Sequence, residues 1–108
     1  MMVQTLAGLD GIRSLTCPEP EREIRGAYVG DLLSWVMGRA QPDNVWITIM
    51  TNVNVVAVAS LADTACILLA EGVAPEQSVL DTAAAKGVNI LQSAMPIYET
   101  AVLVHEYL

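Results

Sequence analysis

The spacing of the apolar residues divides the chain into elements. "MMVQTLAG" has the composition of a short helix stopped by Gly8, and "GIRSLT" has the β-branched and apolar character of a strand. "CPEPEREIRG", rich in proline and charge, predicts an exposed connector up to about Glu23. From Val29 the period lengthens: Val29, Leu32, Leu33, Val36, Met37 and Ala40 form one helical stripe, weakened by Gly38 and ended by "QPDN". In "VWITIM" the period drops to two. Val45, Ile47 and Ile49 face one way and Trp46, Thr48 and Met50 the other, so both faces are expected to be covered.

"ACILLAEG" is a short continuous apolar run ended by Gly72, which suits a strand between two helical layers. "PEQSVLDTAAAKG" predicts a helix with Pro75 and Glu76 in its first turn, Lys86 in its last and Gly87 just past its end. "VNILQS" follows as a strand. The final helix is expected to be capped by Ser93 or a neighbour, with Pro96 in its first turn and Ile97, Ala101, Val104 and Leu108 facing inward.

The order strand, helix, strand, helix predicts a mostly parallel sheet with helices on both faces. One junction stays open on local propensity. In "ITIMTNVNVVAVAS" the chain breaks at Asn52 and Asn54. Val55, Val56 and Val58 favour a returning strand and hence a hairpin, whereas the alanines and Leu61 of "VAVASLADTA" favour a helix capped by Asn52 or Asn54.

Composition narrows the function classes. At 108 residues and 54% hydrophobic, the chain has the size of one compact domain over residues 1–108. Five Lys and Arg against twelve Asp and Glu leave a net charge of -7, which repels nucleic-acid phosphates and anionic membrane surfaces, so neither partner is expected. The apolar region from Val55 to Ala70 is interrupted by Ser60, Asp63 and Thr64 and is shorter than the ~20 residues that cross a bilayer. Met1 to Gly8 lacks a basic start and a sustained apolar core, so no leader is expected. Cys17 and Cys66 have neither the number nor the spacing of a disulfide framework or a metal ligand set, which predicts a reducing cytoplasm and no cofactor.

The stretch "EIRGAYVGDLLSWVMGRAQPDNVWITIMTNVNVVAVASLAD", followed by "AAAKGVNILQSAMPIYETA", resembles the DRTGG-domain family, over about Ile12 to Tyr107. The resemblance implies a three-layer α/β/α fold like the amino-terminal domain of HPr kinase. Such domains also occur attached to phosphotransacetylase and to CBS-domain proteins, and similar stand-alone members lie near iron-only hydrogenase genes. The family is usually regarded as regulatory and non-catalytic. The charged motif behind its name is absent here, and "MTNVN" takes the corresponding loop, which removes any ligand contact made through an Asp-Arg pair. Family members look helical after this loop, so the resemblance favours strand, Asn-rich cap, helix.

In open α/β sheets ligands bind beyond the carboxyl ends of the strands. Three segments fall there: Thr51–Asn54, Glu71–Val73 and Gln92–Met95. Thr51, Asn52, Asn54 and Ser93 are the candidate ligand-binding residues for a small anion or nucleotide, with ordinary capping as the competing role. No phosphate-loop or dinucleotide glycine pattern is present. No catalytic residue is assigned. His105, the only histidine, is expected on the surface near a helix end, and Asp31 and Asp63 could act as an acid-base pair only if the fold joined them. Cys66 is expected in the core and Cys17 at the surface, and their two thiols could hold a cluster only across a dimer.

Tyr28, Asp31 and Trp35 project away from the apolar stripe of their predicted helix, which makes Tyr28 and Trp35 candidates for an interface. The leading expectation is a non-enzymatic cytoplasmic homodimer that senses a small ligand or docks on a metabolic enzyme or redox complex. The alternatives are an accessory protein of an iron-only hydrogenase and a small enzyme using a carboxylate or His105.

Overall fold

A computed structural model describes all 108 residues. Its centre is formed by the two most apolar runs. β3 (Val45–Thr48) and β4 (Cys66–Leu69) are buried at every position, because each is flanked by a strand on both sides and covered on both faces. With β1 (Ile12–Thr16), β2 (Ala27–Val29) and β5 (Ile90–Ser93) they make a five-stranded sheet in the order β1-β5-β4-β3-β2. β2, β3, β4 and β5 run parallel, and β1 closes the β5 edge antiparallel.

Alternation along the strands sorts the core into two layers. Trp46, Ile67, Leu69 and Ile90 pack against α2 (Leu33–Arg39), α3 (Asn54–Ala62) and α4 (Gln77–Ala85), the three helices that connect successive parallel strands. Val45, Ile47, Cys66, Leu68 and Leu91 pack against α1 (Val3–Ala7) and α5 (Ile97–His105) on the other face. The three-layer α/β/α architecture is the one expected. No helix is long and apolar enough to cross a membrane.

The open junction resolves as strand to helix. α3 begins at Asn54, and the Asn52 side-chain oxygen accepts a hydrogen bond from the Asn54 N–H at 2.9 Å, closing a turn in the loop before it. Val53 occupies the cap position itself. Val55, Val56, Val58 and Ala59 are buried, so packing overrides the strand preference of the three valines.

The helix expected from Val29 to Ala40 is shorter and differently placed. Ala27–Val29 is an edge strand, paired Ala27 to Val45, Tyr28 to Trp46 and Val29 to Ile47, and α2 starts only at Leu33. Val29, Leu32 and Met37 are consequently exposed, and of the stripe only Val36 and Ala40 are buried. The cause is pairing at both ends of β2: Val45 N–H donates to Gly26 O, and Gly30 N–H donates to Ile47 O. The Trp46 indole N–H adds a 2.9 Å bond to Gly30 O. Gly26 has φ +82, a conformation that glycine enters without a Cβ clash.

Other ends shift by a residue or two. α4 begins at Gln77, not at Pro75, and Gly87 (φ +72) lies past its end. α5 buries Thr100 and Val104, while Leu108 is exposed. Its first N–H is capped not by Ser93 but by Glu71, whose carboxylate accepts from Ile97 N–H at 2.8 Å.

The connector is exposed in composition but firmly tied. Buried Asn89 bonds Glu19 through both its amide oxygen and nitrogen, at 2.9 and 2.8 Å. The Arg22 guanidinium bridges Asp43 and Asp63 at 3.1 and 2.8 Å and also donates to Asp63 O. Both aspartates have left-handed backbones, φ 67 and φ 58, so one cation secures two unfavourable turns. Burial alone would lower the Arg22 pKa, but its bonds to Asp63 and Asp43 outweigh that and raise it.

Candidate functional site

The parallel strands end at a common edge, where the β3–α3 loop faces the start of α4. Between them lies an open cleft of about 490 Å³, lined by Thr51, Asn52, Val53, Ala74, Glu76, Ser78 and Val79. The loop is positioned from below by Asp31. Its carboxylate accepts from the fully buried Thr48 hydroxyl at 2.7 Å and from Ile49 N–H at 3.2 Å, holding the last residues of β3 before the cleft.

The cleft presents donors. None of Thr51, Asn52, Val53, Ala74 and Ser78 has an acceptor within the chain for its backbone N–H. The residues at the cap positions of α3 and α4, Val53 and Glu76, make no side-chain cap bond, and Asn52 occupies only the Asn54 N–H, so the starts of both helices keep free donors beside the cleft. Glu76 is the one ionisable side chain among the lining residues. The arrangement can hold a small hydrogen-bond acceptor through backbone amides, and Glu76 opposes an accumulation of negative charge there.

Of the sequence-predicted ligand residues, Thr51 and Asn52 line this cleft. Asn54 is exposed at the start of α3 but is not among the lining residues. Ser93 is brought elsewhere. It is fully buried, its Oγ lies 2.7 Å from Thr100 Oγ1 and accepts from Met95 N–H, and with Leu91 it points to the α5 face, opposite α3 and α4. The segments Glu71–Val73 and Gln92–Met95 bind each other: Gln92 donates to Gly72 O and Val73 O, and Glu71 N–H donates to Met95 O. Ala74, Glu76, Ser78 and Val79 were not anticipated as cleft residues. The available signal was "APEQS" itself, a helix start directly after a strand's carboxyl end.

The interface candidates separate in character. Trp35 on α2 is 51% exposed, with the Arg39 guanidinium 3.8 Å from its ring centroid. Tyr28 lies on β2, not on the helix, and is half-buried, with its ring so close over Gly30 that a Cβ there would come within 2.8 Å. Asp31 and Asp63 do not form a pair: Asp31 serves the carboxyl end of β3, and Asp63 ends α3 beside Arg22. His105 is exposed in the last turn of α5. Cys66 is fully buried, and burial pushes its thiol pKa well up. Cys17 is half-buried against the α1/α5 layer, where burial also raises its pKa against the opposing effect of Ser14.

A sheet covered on both faces, with a donor-rich cleft at its carboxyl edge, defines a small three-layer α/β module. The chain belongs to the DRTGG domain family, which matches residues 18–107. It is similar in fold to the CBS and DRTGG domains of the regulatory region of Clostridium perfringens pyrophosphatase, solved in complex with its activator, diadenosine tetraphosphate. The TM-score is 0.67 at 10% sequence identity, with 95% of this chain covered and 48% of that one, so the chain spans about half the length of that structure. A comparison with curated proteins gives no match.

Proposed function

We propose that the chain is a non-catalytic regulatory module that senses a small phosphate-bearing ligand, of the adenine-nucleotide or acyl-phosphate kind, at the carboxyl-edge cleft. The carrying observation is that four residues whose backbone N–H groups have no partner in the chain, Thr51, Asn52, Val53 and Ser78, line one opening. The likeness to a DRTGG-containing regulatory region crystallised with a dinucleotide activator supports the same direction.

Signal output needs a surface, and Trp35 offers one. Its half-exposed ring lies one helical turn from exposed Leu32, and β2 is an edge of the sheet with no strand beyond it; the homodimer is proposed to form through Trp35, with Tyr28 on that edge strand contributing. Docking on a redox-enzyme partner is the second reading of these same exposed apolar residues.

The test is a thermal-shift series with ATP, diadenosine tetraphosphate and acetyl phosphate. A ligand at 100 times its Kd stabilises the folded state by about 2.7 kcal/mol. Glu76→Gln removes the opposing charge and is expected to tighten binding several-fold. Absence of any shift with all three compounds in both proteins rejects the sensing reading. Light scattering separates the two surface readings, since a strict monomer at high concentration rejects the homodimer.

A further inference from the structure

The sheet ends in β1 on one side and β2 on the other, and the two edges are guarded unequally. β1 carries Arg13 and a register shift between Ser14 and Thr16, two of the devices that keep an edge from pairing with another strand. β2 has no charge, proline or bulge, and shortness is its only guard. We propose that β2 pairs antiparallel with β2 of a second copy, about a two-fold axis at Tyr28, so that one sheet runs through both molecules. This geometry rests on the homodimer reading above and specifies how the two copies meet.

The backbone supplies the first observation. Gly26 O and Gly30 N–H are both bonded to β3, so the alternation of a parallel ladder turns Tyr28 to β3 as well and points the N–H and C=O groups of Ala27 and Val29 outward. Neither residue finds a backbone partner elsewhere in the chain. Both are exposed, Val29 by 47%, so the edge is open to an incoming strand. These outward groups complement themselves. In an antiparallel pair centred on Tyr28, Ala27 exchanges both of its bonds with the partner's Val29, and Val29 does the same with the partner's Ala27. Tyr28, half-buried against the α2 layer, then meets the partner's Tyr28 at a position without hydrogen bonds, where cross-strand side chains approach most closely.

Charge fixes the direction and the occupant. Arg25 lies just before β2 and Asp31 just after it, so the edge is positive at one end and negative at the other. Arg25 takes part in none of the chain's ion pairs, and Asp31 spends one carboxylate oxygen on Thr48 and Ile49 and keeps the other free. Antiparallel pairing brings Arg25 to the partner's Asp31 twice, whereas parallel pairing would set like charge beside like. Gly26 bends the chain between Arg25 and the strand (φ +82), so this ion pair closes through the long arginine side chain and not by strict register. A foreign strand would have to reproduce the pattern; a second copy carries it by symmetry.

Hydrogen exchange at the Ala27, Tyr28 and Val29 amides, read by NMR across a dilution series alongside light scattering, tests the pairing. The Ala27 and Val29 amides are expected to be protected roughly tenfold or more in the dimer and to lose that protection on dilution, while Tyr28, bonded within its own sheet, stays protected throughout. Val29→Pro removes an N–H that the molecule's own ladder does not use, so the fold is kept and the dimer is expected to weaken roughly tenfold or more. Arg25→Asp, an exposed change, sets like charges together and is expected to weaken it likewise, more at low salt than at high. A dimer whose Ala27 and Val29 amides exchange as fast as in the monomer, or whose affinity is unmoved by Val29→Pro in folded protein, overturns this geometry and leaves a homodimer through Trp35 standing. The exchange measurement needs no variant, so it decides the matter even if Val29→Pro does not fold. A protein monomeric at every concentration, with these amides unprotected, overturns both readings.

Discussion

Asp31→Ala tests how the cleft loop is held. The substitution removes the acceptor of the Thr48 hydroxyl, which is 0% exposed, and of Ile49 N–H, at 2.7 and 3.2 Å. Hydrogen bonds to a carboxylate contribute about 1.5–3 kcal/mol and stranding a buried hydroxyl adds to the loss, but Asp31 is itself exposed, which brings the sum to about 2–3 kcal/mol. For a chain of this size that is a fall of roughly 10–15 °C in the melting temperature. Thr48→Val keeps the packing and removes the hydroxyl, and costs about 1 kcal/mol, because exposed Asp31 keeps Ile49 N–H and takes water in place of the hydroxyl, and only Met50 N–H loses its side-chain acceptor. In the Thr48→Val background Asp31→Ala then loses only the Ile49 bond, giving a coupling of about 1–2 kcal/mol. Urea unfolding of the four proteins measures it. Asp31→Asn, which retains an acceptor oxygen, should recover part of the loss. An unchanged Asp31→Ala midpoint, or the same cost in both backgrounds, would refute the reasoning.

Arg22→Met removes the clamp on the two left-handed aspartates and is expected to cost about 1–2 kcal/mol, since the pairs are partly exposed. The deficit should shrink in 1 M salt, where the Debye length is about 3 Å; a deficit that ignores salt contradicts an ionic clamp. Because burial raises the Cys66 pKa above its ordinary value of 9.0, the folded state keeps its proton where the unfolded state loses it. Stability from this group is therefore complete below about pH 9 and declines as the pH rises further. The urea midpoint should fall across that window, and Cys66→Ala should flatten the slope while lowering stability throughout.

The parts of the fold that were legible in the sequence are those where burial is uniform. Val45–Thr48 and Cys66–Leu69 read as strands because every residue meets a covering layer, and Gly72 and Gly87 marked ends that backbone geometry imposes. The Val55–Val58 helix could not be read from propensity, since its valines prefer strands and only packing against α2 and β3 decides the matter. β2 was hidden for the opposite reason: three residues at an open edge carry too short a pattern, and Val29 and Leu32 happened to continue the periodicity of a helix that starts at Leu33. In the candidate site, Thr51 and Asn52 were visible as a polar break after a strand, whereas the Ala74–Val79 wall depends on the β4–α4 loop lying beside β3–α3. Ser93 misled because strand alternation, not proximity to a strand end, chooses the face.

The central claim, that the carboxyl-edge cleft receives a phosphate-bearing ligand through backbone amides, is tested most directly by following amide shifts during titration with ATP and acetyl phosphate. The account predicts saturable shifts concentrated at Thr51, Asn52, Val53 and Ser78. Shifts confined to the Glu19, Thr64 and Lys86 end of the strands, or none at millimolar ligand, would contradict it.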